Sequence, residues 1–228
     1  MQMKILLGTA LLALATAASA LDLSSLSSAD ASAGLKKALD QGINQAVAKL
    51  GTAGGFLDNP KVRIPLPPKL AKAESLMRMV GLGDQADQLV DSMNRAAEAA
   101  VPESKMLLKQ ALKQMSVTDA KQILTGGDDA ATQYFKRVTS APLQERFKPI
   151  VAKATQKVKL AQQYDRIADK GVQLGLIKPE DASIESYVTQ KTLDGLYLMM
   201  ADEERAIRKN PLAAASSIAK KVFEAIGR

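Results

Sequence analysis

The chain has 228 residues and a formal net charge of +7, with 46% hydrophobic and 24% charged residues. These values predict one medium-sized folded domain, or at most two small ones, and exclude wholesale disorder. The chain contains no cysteine, histidine or tryptophan, which excludes disulfides, thiolate or imidazole metal ligands, cysteine nucleophiles and a Ser-His-Asp triad. We therefore expect no cofactor, no bound metal and no enzymatic activity.

Residues 1–20 have the pattern of a secretory signal peptide. Lys4 precedes an apolar run over 5–18, and Ala18–Ala20 forms an A-x-A processing site. The run is short for a membrane span, and a serine-rich stretch follows it instead of a basic flank. We expect cleavage after the last alanine, release into the periplasm, and a single helical domain over 21–228 with no transmembrane segment.

Helical periodicity begins directly after the signal-like segment. A capping-box spacing at Ser27–Asp30, followed by apolar residues at three- and four-residue steps, predicts a first helix that stops at Gly51. Residues 51–68 break this pattern because their prolines and glycines do not sustain a helix. A second helix is predicted over about 70–80, and Asp84 is expected to cap a third.

Further start and stop signals divide the middle of the chain. Pro102 either kinks the third helix or opens the fourth. Ser116–Asp119 has the spacing of another capping box, and its helix is predicted to close at Gly126–Gly127. Asp128 is expected to cap the next helix, with Val138 among its inward-facing residues.

The remaining helices are longer. The longest apolar stripe is predicted over 140–168, with a kink at Pro149 and a turn around Gly171 after it. A helix follows over 183–210, and Ser183 is expected to cap it. A final helix is predicted over 212–226.

Leu196–Ala201 is apolar on every side of its helix, which predicts a central helix with residues 196–200 almost wholly buried. Gly195 costs about 1 kcal/mol of helix propensity relative to alanine, so we expect a close helix crossing there. Strand-like alternation is confined to 61–66. The fold class predicted is all-α, a compact multi-helix bundle with one Pro-rich extended strap, Arg63–Pro68.

Three long segments support a resemblance to a known family; they are Asn59–Pro67, Ile123–Phe135, and Tyr187–Lys191 with Leu193–Leu196. With the signal-like N-terminus, they resemble the bacterial exported family catalogued as domain of unknown function 4197. The resemblance covers nearly all of the chain after the signal. It implies an exported, helical protein of Gram-negative bacteria, and it carries over no catalytic residues.

The turn Gly126–Asp129 has two interpretations. A glycine-rich turn before a helix exposes amides that can hold a phosphate. Here, however, Asp128 and Asp129 occupy the place of the anion, and no P-loop lysine follows. We favour the structural interpretation, in which Gly126 and Gly127 end one helix and Asp128 caps the next. A divalent cation on the two aspartates is less favoured, because hard cations need about six or more oxygens.

The strap Arg63–Pro68 also has two interpretations. Polyproline geometry leaves backbone groups free for a partner, so the strap could be a docking segment with Arg63 and Pro65 as contacts. The favoured alternative is a stiff connector whose alternate apolar residues cover the bundle.

Charge is distributed unevenly. Seven basic residues and one acid lie in 136–159, whereas seven acids and one lysine lie in 180–204. Arg146, Lys153 and Lys157, which we call the basic face, fall on one side of the predicted helix. Either the two segments pack together and neutralise each other, or the basic face meets anionic lipid headgroups or acidic glycans.

Other polar and apolar residues are weaker candidates. The acid pairs Glu180–Asp181 and Glu203–Glu204 are expected at solvated helix ends, where acid–base catalysis is not favoured. Several methionines after the signal, including Met199 and Met200, offer adaptable lining for an apolar ligand, although core packing is the simpler role for each.

The leading hypothesis is a periplasmic binding module of the cell envelope, for an apolar ligand or an anionic lipid surface. The alternative is a structural or protein-interaction factor without catalytic activity. A pocket of several hundred Å³ beside residues 196–200 would favour the apolar ligand, and a solid core would favour the alternative. Lipid or another envelope protein is the expected partner, and nucleic acid is not.

Overall fold

The computed structural model describes residues 28–173 and 183–210, and within them the chain forms α-helices and no strand. The helices are α1 Ser28–Leu50, α2 Pro68–Met79, α3 Gly83–Ala100, α4 Ser104–Gln114, α5 Val117–Thr125, α6 Ala130–Thr155, α7 Lys159–Gln173 and α8 Ile184–Lys209, with a 3₁₀ turn over Val101–Glu103. They pack around one apolar core. The predicted all-α bundle is therefore confirmed. The signal-like segment, the capping serine proposed for α1 and the final helix lie outside the described residues.

The core is built around α8. This helix packs most extensively on α6, and it also packs on α1, α3 and α7. Leu196 is fully buried, and Tyr197, Met199 and Met200 are nearly so. Leu198, however, is 41% exposed, so the prediction that every residue of this segment is buried was wrong at this position. The neighbours of α8 leave one side of the helix open to solvent.

The prediction of one long helical stripe over 140–168 was wrong, because α6 ends at Thr155 and α7 begins at Lys159. α6 also includes the helix that was predicted separately after Asp128. It continues through Pro142 and Pro149 without a new start at Ser140, and the chain breaks only after Thr155. Both prolines are exposed, so water can satisfy the carbonyls that lose their helical donors.

Two smaller expectations for this region were also wrong. Val138 is 41% exposed, not inward-facing, and Gly171 lies inside α7 instead of in a turn.

The two serine caps that were predicted within the described residues are confirmed. The Ser116 hydroxyl accepts from the Asp119 amide at 3.0 Å, and the Asp119 carboxylate accepts from the Ser116 amide at 3.0 Å. Ser183 caps α8 by accepting from the Ser186 amide. The two aspartate caps were wrong: Asp84 lies within the first turn of α3, and Asp128 precedes the residue at which α6 is entered.

Gly195 does mark a close approach, but not between two helices. A Cβ at this position would lie 2.8 Å from Cε1 of Phe56 and 3.3 Å from Cβ of Val62. Both residues belong to the connector, which we define as residues 51–67 between α1 and α2. The predicted helix crossing was therefore wrong, because α8 packs here against the connector.

None of the helices in the described ranges is both long enough and apolar enough to cross a membrane.

Candidate functional site

The turn Gly126–Asp129 joins α5 to α6. A Cβ on Gly126 would lie 2.7 Å from Cβ of Ala130, so packing restricts this position to glycine. Asp128 is exposed, and Asp129 accepts a hydrogen bond from the Gln133 side chain at 3.0 Å. Neither aspartate makes the predicted cap, and no group of three or more potential metal-ligating side chains occurs among the described residues.

The N-terminus of α6 is instead capped by a glutamate from α8. The Ala131 amide donates to Glu204 Oε1 at 3.0 Å, and the Thr132 amide and hydroxyl each donate to Oε2 at 2.9 Å. Glu204 is only 4% exposed. The amides that would hold a phosphate are therefore already bound to a carboxylate of the chain, which supports a structural role for the turn.

Arg208 completes this junction. Its guanidinium binds Glu204 Oε1 at 2.9 Å and also donates to the Ile123 carbonyl at the end of α5 at 2.9 Å. Both side chains of the Glu204–Arg208 pair are at least nine-tenths buried. Glu203 is buried as well, so the expectation that this acid pair lies at a solvated helix end was wrong. The sequence did carry a signal for this pair: Glu204 and Arg208 are four residues apart and follow the all-apolar turn at 196–201.

A second buried pair of polar side chains anchors the connector to α3. The amides of Phe56 and Leu57 both donate to Glu98 Oε1 at 3.1 Å. One turn earlier, Asn94 accepts from the Ile64 amide at 2.8 Å and donates to the Ile64 carbonyl at 2.9 Å. Asn94 and Glu98 thus satisfy buried backbone groups of the connector, which is neither helix nor strand.

The strap lies on the bundle with its alternate side chains inward. Ile64 and Leu66 are buried, whereas Arg63 and Pro65 are exposed. The Tyr187 hydroxyl donates to the Pro65 carbonyl at 3.3 Å. These contacts support the interpretation of the strap as a stiff connector that covers the core.

The three residues of the basic face are exposed in the structure, but they do not all lie on one helix as predicted. Lys153 lies in the last turn of α6, and Lys157 lies in the turn that follows it. Arg146 forms an ion pair with Glu103 at 2.7 Å. Lys153 and Lys157 make no ion pair with any residue in the described ranges.

The acids of α8 bind cations elsewhere in the molecule. Three acids of α8 form ion pairs: Asp202 with Lys61 at 2.7 Å, Glu203 with Lys49 at 2.6 Å, and Glu204 with Arg208 at 2.9 Å. The hydrogen bond from Lys61 lowers the pKa of Asp202. α6 and α8 do pack together, but the described acids of α8 do not neutralise the basic face. Glu180 and Asp181 lie outside the described residues.

Met199 and Met200 are buried in the core. Met200 lines a cavity of about 20 Å³ together with Phe135 and Glu204. A cavity of this size holds about one water molecule. The two methionines therefore contribute to close packing in this part of the core.

Sequence reasoning missed one surface feature. Leu76, Met79 and Val80 are 60%, 77% and 61% exposed, and they adjoin one another at the end of α2. The sequence pattern could have indicated this surface. The three apolar residues have i, i+3, i+4 spacing, and Lys72 and Lys69 precede them by one and two helical turns.

Comparison with protein families gives one match. The model of the family described as Protein of unknown function (DUF4197) matches residues 25–224, so the chain belongs to this family. A search of curated proteins and a search of solved structures found no match.

Proposed function

We propose that this member of the family is a non-catalytic protein of the bacterial envelope that attaches peripherally to an anionic lipid surface through its basic face. The observation that carries the proposal is the exposure of Lys153 and Lys157 without an acidic partner in the described fold. A positive surface of this kind attracts anionic headgroups, with about 1 kcal/mol for each basic residue close to the membrane.

The proposed location rests on the sequence of residues 1–20, which have the features of a cleaved export signal. If the protein is exported, N-terminal sequencing of periplasmic material should begin at Leu21. Full-length protein held in the inner membrane would contradict export.

The structure also favours one alternative. The cavity beside Met200 has room for about one water molecule, which favours a structural or protein-interaction factor over a carrier of an apolar ligand at this place. The connector, which covers the core through Asn94 and Glu98, is consistent with a rigid scaffold of this kind.

Vesicle co-sedimentation separates the two functions. The wild-type chain should bind vesicles that contain phosphatidylglycerol and should ignore pure phosphatidylcholine. The variant Lys153→Glu/Lys157→Glu should bind at least about 30-fold more weakly, because two residues at about 1 kcal/mol each correspond to that factor. Binding should also weaken as salt rises, since the charges are exposed.

A matched control tests whether total charge is sufficient. Lys113 and Lys121 are exposed on α4 and α5 and make no ion pair in the described ranges. Lys113→Glu/Lys121→Glu changes the net charge by the same amount and should bind like the wild type. Equal binding by all three proteins, or binding by none, would contradict lipid recognition through the basic face and favour the interaction factor.

A further inference from the structure

α2 presents an apolar face that the fold leaves open. Leu76, Met79 and Val80 lie at i, i+3 and i+4, and each exposes 60% or more of its surface. Three neighbouring side chains of this kind form a patch, unlike the single exposed apolar residues that occur on every protein. Elsewhere on α2, Met77 is buried, and Leu70 and Ala73 are partly buried against the core.

Two lysines extend this face toward the start of α2. Positions 69, 72, 76 and 79 follow three- and four-residue steps, so Lys69 and Lys72 share a side of the helix with Leu76 and Met79. Both lysines are exposed and make no ion pair in the part of the chain that the structure describes. The face is therefore basic at one end and apolar at the other.

The acids near α2 are bound on a different side of the helix. The Arg78 guanidinium binds Glu74 at 2.8 Å and Asp87 of α3 at 2.7 Å. Its hydrogen bonds raise the pKa of Arg78 and lower the pKa of Asp87. These ion pairs, with buried Met77, hold α2 against α3 and leave the lysines and the apolar patch facing outward.

We propose that this outward face of α2, formed by Lys69, Lys72, Leu76, Met79 and Val80, inserts into the interface of an anionic lipid membrane. An amphipathic helix with lysines beside its apolar face lies in the headgroup region and buries its apolar side chains in the acyl boundary. Lys69 and Lys72 reach anionic headgroups while their methylene stems stay beside the apolar chains.

The size of the face favours lipid over a protein partner. A helix of 12 residues is about 18 Å long and about 10 Å wide, so the face covers roughly 180 Å² in projection. A stable protein interface buries about 800 Å² on each partner. Insertion into lipid has no such threshold, because each apolar side chain leaves water independently of the others.

This insertion goes beyond the proposed attachment through the basic face, since it adds an apolar contact that salt does not screen. Attachment through Lys153 and Lys157 alone should vanish at about 1 M salt, where the Debye length is about 3 Å. Insertion of α2 should leave a fraction of the protein on the vesicles at that salt concentration.

The test is co-sedimentation of the chain from Leu21 onward with vesicles containing phosphatidylglycerol, at about 0.15 M and about 1 M salt. The variant Leu76→Ser/Met79→Ser/Val80→Ser should lose the salt-resistant binding, by at least about tenfold. The matched control Met106→Ser/Val117→Ser/Val138→Ser also replaces three exposed apolar side chains and should bind like the wild type. Circular dichroism of each variant should match the wild type, because the replaced side chains are exposed.

A second variant, Lys69→Glu/Lys72→Glu, leaves the apolar patch in place and should weaken binding at the lower salt concentration. Wild-type binding that disappears at high salt, or α2 variants that bind like the wild type, would overturn the insertion of α2. Self-association of the wild type that the serine variant abolishes, without vesicle binding, would also overturn it and identify a second copy of the chain as the occupant. If Lys153→Glu/Lys157→Glu binds normally while the α2 serine variant does not, the basic face fails and the insertion stands.

Discussion

α8 and α2 both carry large apolar side chains, but the two helices use them differently. α8 turns Leu196, Met199 and Met200 into the core and has neighbours on most of its sides. α2 buries Met77 and leaves Leu76 and Met79 in solvent. The comparison shows that apolar content alone does not determine burial. The number of packed neighbours does, and α2 packs chiefly on α3.

The largest difference in the free energy of unfolding should come from replacing a glutamate on each helix. Glu204→Ala removes the acceptor for two buried amides and breaks the buried ion pair with Arg208, so we expect a loss of about 3–5 kcal/mol in the free energy of unfolding. Glu74→Ala on α2 removes a surface pair and should cost less than about 1 kcal/mol. Urea unfolding measures both values. A loss under about 1 kcal/mol for Glu204→Ala would show that the α6 cap is not needed.

A leucine on each helix provides the next contrast. Leu196→Ala should cost roughly 2–5 kcal/mol, because the side chain is fully buried in the core. Leu76→Ala should stay within about 0.5 kcal/mol of the wild type, because 60% of Leu76 is exposed. Chemical denaturation of the two variants in parallel gives the comparison, and equal losses would refute it.

A pair of buried helical glycines isolates the contact between α8 and the connector. Gly195→Ala would bring Cβ to 2.8 Å from the ring of fully buried Phe56, and we expect destabilisation by roughly 1–3 kcal/mol. Gly42→Ala on α1 places its Cβ no closer than 3.8 Å to any neighbour, and it should stabilise the protein by about 0.5–1 kcal/mol. Thermal unfolding should therefore shift in opposite directions, and a shift in the same direction would contradict the close approach at Gly195.

The smallest effect concerns the attachment of α2. The Arg78 guanidinium lowers the pKa of Asp87. The pair therefore stabilises the fold above the unfolded pKa of about 3.9 and loses that contribution as pH falls through the folded value. An NMR titration of the Asp87 carboxyl carbon should give a midpoint below about 3.9. In Arg78→Gln the midpoint should rise, and an unchanged midpoint would remove Arg78 as the cause.

Contacts between near neighbours in the chain were predictable from the sequence. The capping box of Ser116 and Asp119 and the cap at Ser183 are formed within three residues, and the structure confirms both. The cap of α6 was not predictable in this way, because its acceptor, Glu204, lies 73 residues after Ala131. Asp128 and Asp129 are the nearest acids in the sequence, but Glu204 of α8 binds these amides instead.

The candidate site shows the same division. Lys153 and Lys157 are both exposed, as the sequence pattern predicted, but only Lys153 lies on α6 and follows its helical period. The sequence pattern did not predict which cations bind the acids of α8. That choice depends on Lys49 and Lys61, which the fold brings to α8 from α1 and the connector. The open face of α2 likewise depends on which neighbours the helix lacks.

The most direct test of the account follows Met79 at the membrane. The chain has no tryptophan, so Met79→Trp places a single fluorescent reporter on the open face of α2. The matched control is Leu198→Trp, a partly exposed position on α8 with Asp194 and Asp202 one turn away on either side. With vesicles containing phosphatidylglycerol, emission from Met79→Trp should move to shorter wavelength and be quenched by brominated acyl chains, while emission from Leu198→Trp should not change. Unchanged emission from Met79→Trp would contradict the insertion of α2.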